Sequence, residues 1–218
     1  MNKLRRNKLA LLFFIFFAAV MFIGIIIIPI FMSLTYSFQN WDGMTQSEFV
    51  GFNNYIELFT SKSAGFTKTL GNAMLLAVLS TFIQLPISLF FALILSKGIK
   101  GERFFVTVFF IPVLISTVVI GQLWLKVYNP EYGIINTFLR AINRPDLCKT
   151  WLGDQNTALT AVFFPILWQY VGYHMLLLYA GVKNVSTDII EAAKIDGANY
   201  WQTCTRIIIP MVKPVIKI

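Results

Sequence analysis

The chain has 218 residues, of which 57 % are hydrophobic and 13 % charged, with a formal net charge of +8 and a mean hydropathy of +0.70. Soluble domains carry roughly 25 % charged residues, so this composition excludes an ordinary water-soluble globule. The basic residues sit between the apolar runs, which leaves no basic face for nucleic acid.

The first apolar run follows Lys3, Arg5, Arg6 and Lys8 and predicts a helix near residues 9–34. A bilayer core takes roughly 20 apolar residues in helical form, and this run is long enough. The basic start resembles a cleaved leader, but the apolar stretch is longer than a leader's. The following "IPIFMSLTYSFQNW" also has no small-residue cleavage site, so the helix is read as retained. A polar segment with Trp41, Phe52 and Tyr55 comes next, and its aromatics suit a membrane interface.

A second spanning helix is predicted near 70–95, with Gln84 and Pro86 mid-span, and a third near 104–125, with Gln122 towards its end. Lys97, Lys100 and Arg103 fill the turn between them. The segment "YNPEYGIINTFLRAINRPDLCKTWLGDQN" follows, with a short helix expected from about Gly133. Neither polar segment is large enough to bury its own core. A fourth span near 157–179 carries Gln169, Tyr170 and His174, and a fifth begins at Ile207 and is cut off at Ile218. The predicted fold is all-α: a polytopic membrane helix bundle in a single domain over 1–218, with four full spans and the start of a fifth.

Orientation follows from the lysines and arginines. The N-terminal cluster, the 97–103 turn and Lys183, Lys194 and Arg206 fall on one side. Lys62, Lys68, Arg140, Arg144 and Lys149 fall on the other, with Lys126 at its edge. The excess places the N-terminus and the loop at 183–210 in the cytoplasm. Cys148 and Cys204 then lie on opposite sides and form no bridge within one chain.

The sequence offers little covalent chemistry. It has no phosphate-cradling glycine-rich motif and no paired histidine or cysteine spacing for a metal, and no catalytic residue or cofactor is assigned. Gln84, Gln122, Gln169, Tyr170 and His174 are uncharged polar groups within the apolar runs. Such groups face protein or a water-filled cavity, either as contacts between helices or as the lining of a path for a neutral polar solute. Gln169 and Tyr170 are consecutive and cannot both face one way.

The most polar stretch is "EAAKIDGANYWQTCTRIIIP", from Glu191 to Pro210. Asp188 and Glu191 open a short helix in the manner of a capping box, and Gly197 is placed to end it. Asn199 with Gln202 caps the next helix. A helix of two turns does not hold alone in water, so the piece is docked, with Ala192 and Ala193 allowing close approach and Ile189, Ile190 and Ile195 supplying apolar contact. The residues alone leave open a loop packed only on its own helices.

The spacing Glu191-Ala192-Ala193, Gly197, Ile207 and Ile209-Pro210 resembles the EAA loop of binding-protein-dependent ABC transporter permeases, with Ile209 where the family has leucine. Asp196-Gly197-Ala198 before Trp201, together with "VGFNNYIELF" and "GVKNVSTDIIEAA", resembles the carbohydrate branch. The resemblance implies a bacterial or archaeal cell-membrane protein. It also implies partners: cytoplasmic ABC ATPase subunits in which ATP is hydrolysed, a second permease subunit and an extracellular solute-binding protein. Glu191, Ala192, Ala193, Asp196, Gly197, Ile207, Ile209 and Pro210 would form the ATPase-coupling loop, with Glu191 pairing with a basic group on the ATPase. Family members continue through further helices after this loop, so a shortened and inactive permease is an alternative expectation. A secondary transporter or channel would need coupling-ion residues, and a membrane enzyme a catalytic cluster; neither stands out.

Overall fold

The computed structural model describes residues 8–44, 46–61 and 65–216. The basic residues Lys3, Arg5, Arg6 and Lys62, and the terminal Ile218, lie outside the described residues. The chain divides into two compact units, Met1–Gly71 and Asn72–Ile218.

In the first unit, α1 (Lys8–Phe22), a π-helical turn (Ile23–Ile27) and α2 (Ile28–Tyr36) follow one another directly. Leu12–Tyr36 is an apolar helix of 25 residues with none of its length buried, the surface that lipid covers in a spanning helix. Two short antiparallel strands follow, β1 (Gln39–Asn40) and β2 (Glu48–Phe49), with Gln39 opposite Phe49. Helix α3 (Asn53–Thr60) is tied back to this hairpin. The Asn54 amide donates to the Ser37 and Gln39 carbonyls at 2.9 Å, and the Tyr55 hydroxyl donates to Ser37 Oγ at 2.6 Å. The hairpin is an addition to the predicted all-α fold.

Helix α4 (Phe66–Leu79), a π-helical turn (Ser80–Gln84) and α5 (Leu85–Ser96) run on as a second apolar helix, Phe66–Ser96. In the second unit there follow α6 (Glu102–Leu114), α7 (Thr117–Val127), α8 (Ile134–Ala141) and a single 3-10 turn (Pro145–Leu147). The long α9 (Ala158–Lys183), α10 (Thr187–Ile195) and α11 (Tyr200–Thr203) come next, and a π-helical turn (Cys204–Ile208) leads into α12 (Ile209–Ile216).

Each π turn ends two residues before a proline: Pro29, Pro86 and Pro210. A helical proline donates no hydrogen bond and crowds the carbonyl four residues back. Those carbonyls belong to Ile25, Phe82 and Arg206, all inside the widened turns. One extra residue per turn keeps the helix continuous where it would otherwise break.

The single helix expected near 104–125 is instead two, α6 and α7, bent by 96°. Pro112 occupies the last turn of α6, and Ile115 and Ser116 are both extended, with ψ of 135° and 136°. The run is apolar enough to read as one span, and Pro112 within it does not by itself say whether the helix bends, widens or ends. Together with Leu12–Tyr36, Phe66–Ser96 and Ala158–Lys183, this pair makes up to four spans by length and composition.

The core of the second unit is the packing of α5 and α6 on α9. Ala92 and Met175 are fully buried, and Ser88 Oγ, also buried, donates to the Val171 carbonyl at 3.1 Å. A β-carbon at Gly172 would lie 1.8 Å from the Phe109 carbonyl oxygen. The glycine is therefore what lets α9 meet the backbone of α6.

Candidate functional site

The loop after α9 begins with Ser186, whose hydroxyl accepts from the Asp188 amide and so caps α10. The sequence reading placed this start on Asp188 and Glu191. Asp188 instead sits in the first turn, where its carboxylate favours the positive end of the helix. The far end is a Schellman turn: the Gly197 amide donates to the Lys194 carbonyl at 3.0 Å, and the Ala198 amide to the Ala193 carbonyl at 2.9 Å. Gly197 has φ of +81°, the left-handed conformation expected of a terminator. Asn199 caps α11 with both halves of the capping box formed with Gln202.

Helix α10 is docked on its own unit. Ala193 is buried, and Ile190 packs against a cluster containing Leu93, Val182, Val185, Cys204 and Ile208. Tyr200 supplies the tether: its hydroxyl donates to the Leu93 carbonyl at 2.6 Å, at the end of α5 where helical partners run out. Lys97 Nζ lies 4.6 Å from the centre of the same ring. Burial, with a lesser contribution from the neighbouring Cys204, pushes the Tyr200 phenol well above its usual pKa, which keeps the donor protonated.

The outer face is left open. Glu191, Ala192 and Asp196 are exposed, and Ile195 is 86 % exposed, with Ile189 and Trp201 also open. Of the apolar contacts expected from Ile189, Ile190 and Ile195, only Ile190 is turned inward. Glu191 has no ion-pair partner among the described residues. Ile209 packs against the cluster, Ile207 is half-buried, and Pro210 is exposed. Cys204 is fully buried and Cys148 is half-buried.

Two features adjoin the loop. A cavity of about 450 Å³ lies behind α10, lined from that helix by Thr187, Ile190 and Lys194, residues that share one face. At the end of α9, Lys183 Nζ meets Glu102 Oε1 at 2.9 Å, and the Tyr179 hydroxyl donates to the same oxygen. Sequence reasoning missed this cluster, because Glu102 and Lys183 are far apart in the chain and each reads singly as an interfacial charge.

The polar residues of the apolar runs are placed apart. Gln122 and Gln169 line one cavity of about 440 Å³ between α7 and α9, and the Gln169 amide also donates to the Ile115 carbonyl at the α6–α7 bend, at 3.5 Å. Gln84 is buried, and its Oε1 has no hydrogen-bond partner among the described residues. Tyr170 is exposed and His174 is half-buried against Tyr173, and neither lines that cavity. Among the described residues no cluster of histidine, cysteine or carboxylates could hold a metal.

Apolar helices of spanning length, carrying a capped and docked loop helix, define a multi-pass helical membrane protein. The chain belongs to the family described as binding-protein-dependent transport system inner membrane component, which matches residues 84–217. It is 37 % identical to the probable ABC transporter permease protein YurN of Bacillus subtilis, over 89 % of this chain and 67 % of that protein. It is 30 % identical to the diacetylchitobiose uptake system permease protein NgcF of Streptomyces coelicolor, over 96 % of this chain and 64 % of that one. With the xylose/arabinose import permease protein XacH of Haloferax volcanii the identity is 34 %, over 81 % and 55 %. The chain thus spans between about half and two thirds of the length of these relatives. The fold is shared with a chain in the crystal structure of a bacterial alginate ABC transporter in complex with alginate pentasaccharide-bound periplasmic protein. That match has a TM-score of 0.80 and 22 % identity, over 98 % of this chain and 70 % of that one.

Proposed function

We propose that this protein is a transmembrane subunit of an ATP-driven importer for a sugar or related polar solute. A separate cytoplasmic ATPase drives it, a second permease subunit completes the pathway, and an extracellular binding protein delivers the solute. The observation that carries the reading is the two-sided docking of α10. Its inner face is fixed by Ala193, Ile190 and the neighbouring Tyr200 tether, while Ile189, Glu191 and Ile195 stand open on the outside. A short helix held from behind and open in front suits a coupling element that seats in a groove on the ATPase. In this reading Glu191, Ala192, Ala193, Asp196, Gly197, Ile207, Ile209 and Pro210 form the coupling loop, on the cytoplasmic side. The solute class is supported by the names of relatives such as those for diacetylchitobiose and xylose/arabinose.

For the pathway we propose the cavity between α7 and α9, where Gln122 and Gln169 offer neutral amides. The test is Glu191→Ala in the assembled transporter at matched expression. An interfacial charge pair stripped of one member loses about 1–3 kcal/mol, so co-purifying ATPase and solute uptake should both fall roughly tenfold while the permease stays in the membrane. Unchanged uptake and unchanged ATPase recovery would remove Glu191 from the interface.

A further inference from the structure

We infer that the cavity behind α10 is a seat for an anionic phospholipid, its phosphate at the lysine rim and an acyl chain along the apolar floor. The inference rests on the reading above in one respect, that this end of the molecule faces the cytoplasmic leaflet. The cavity holds about 450 Å³, and three cationic side chains from three separate elements line it: Lys97 after α5, Lys183 at the end of α9 and Lys194 on α10. No carboxylate among the described residues lines it. Lys183 is already bonded to Glu102 outside the cavity lining, whereas Lys97 and Lys194 have no carboxylate partner among the described residues. Lys97 is held at the rim by the Tyr200 ring.

The rest of the lining selects the kind of anion. Val182, Val185 and Ile208 give the cavity an apolar floor continuous with the buried cluster. Those three side chains are already nearly buried, and the half-buried Ile190 and Tyr200 carry the apolar lining outwards; a free phosphate ester would use only the lysines, while an amphiphile meets both parts. Basic pockets between helices at the cytoplasmic face are where anionic headgroups settle, drawn by the negative surface potential of that leaflet. A lipid seated here would touch α10 along the same face as Thr187, Ile190 and Lys194, bracing from behind the helix whose outer face is open.

The experiment uses the transporter purified from membranes as a complex and exchanged into phosphatidylglycerol or phosphatidylcholine, with retained lipid counted by native mass spectrometry. Phosphatidylglycerol should survive delipidation in preference to phosphatidylcholine. Each lysine near an anionic lipid contributes about fivefold in affinity, so Lys97→Gln with Lys194→Gln should weaken retention by about 25-fold, and the two Arg variants should restore it. Equal retention of both lipids, or unchanged retention in the double Gln variant, overturns the site. Displacement of the lipid by excess inorganic phosphate overturns it in favour of a free phosphate ester. ATPase co-purifying in the same samples separates the two claims. Its absence from wild-type preparations counts against the importer reading, and lipid retention alone decides the site.

Discussion

A β-carbon added at Gly172 meets the Phe109 carbonyl oxygen at 1.8 Å, whereas one added at Gly197 meets nothing within 4 Å. The two glycines therefore fail in different ways. At Gly172 the helices α9 and α6 must separate, and overpacking of this kind costs about 1–3 kcal/mol or more. Gly172→Ala should accordingly lower the yield of folded protein and its melting temperature in detergent, and a variant of unchanged thermal stability would contradict the close approach. At Gly197 the only cost is the left-handed backbone, about 1–2 kcal/mol for a residue with a β-carbon and more for a β-branched one. Gly197→Val should leave membrane abundance intact while abolishing uptake and weakening ATPase recovery. Normal uptake with Gly197→Val would show that the turn after α10 has no role in coupling. Gly197 was legible in the sequence because a terminator after a two-turn helix is a local rule. Gly172 was not, because its reason lies sixty-odd positions away in the chain.

Elements in this protein are joined by few polar bonds, and the joint between α6 and α9 is the most telling. Glu102 opens α6 and accepts from both Tyr179 and Lys183 at the end of α9, three residues before the Ser186 cap of α10. Glu102 thus ties the start of α6 to the end of α9, next to the loop that carries α10. The Lys183 head is well exposed, so the ion pair by itself contributes little to stability, under about 1 kcal/mol. Glu102→Gln should leave abundance unchanged and lower uptake per ATP hydrolysed by roughly two- to fivefold. Glu102→Lys combined with Lys183→Glu should recover part of that loss. Failure of the exchanged pair to recover any coupling, with both single variants impaired, would contradict a direct link. The break at the far end of α6 was read through in the sequence, since Pro112 marks a weak point but not a bend, and Ile115 and Ser116 are turned by the geometry of the bundle. The three π turns follow the local logic of proline, yet which prolines widen a helix and which end one depends on the packing around them.

At the scale of the whole molecule, hydropathy and charge spacing located the apolar helices, because lipid imposes length and composition on any segment that crosses it. The division into two units and the α3–hairpin tie were not readable, since they depend on single side-chain bonds such as those of Asn54 and Tyr55. The loop after α9 was legible to the residue at Gly197, Asn199 and Gln202, and only in part at its start, where Ser186 rather than Asp188 supplies the cap. Its two faces are set by tertiary packing: Ile190 and Ile195 look alike in the sequence and are opposite in exposure. That difference permits a direct test of the central claim, that α10 presents its open face to an ATPase. A photo-crosslinking amino acid placed at Ile195, in the transporter assembled in native membranes, should give an adduct whose mass and peptide map identify a cytoplasmic ATPase subunit. The same probe at Ile190, which faces the permease's own core, should give none. An Ile195 adduct confined to the permease itself or to lipid, with the ATPase present in the same membranes, would contradict the account.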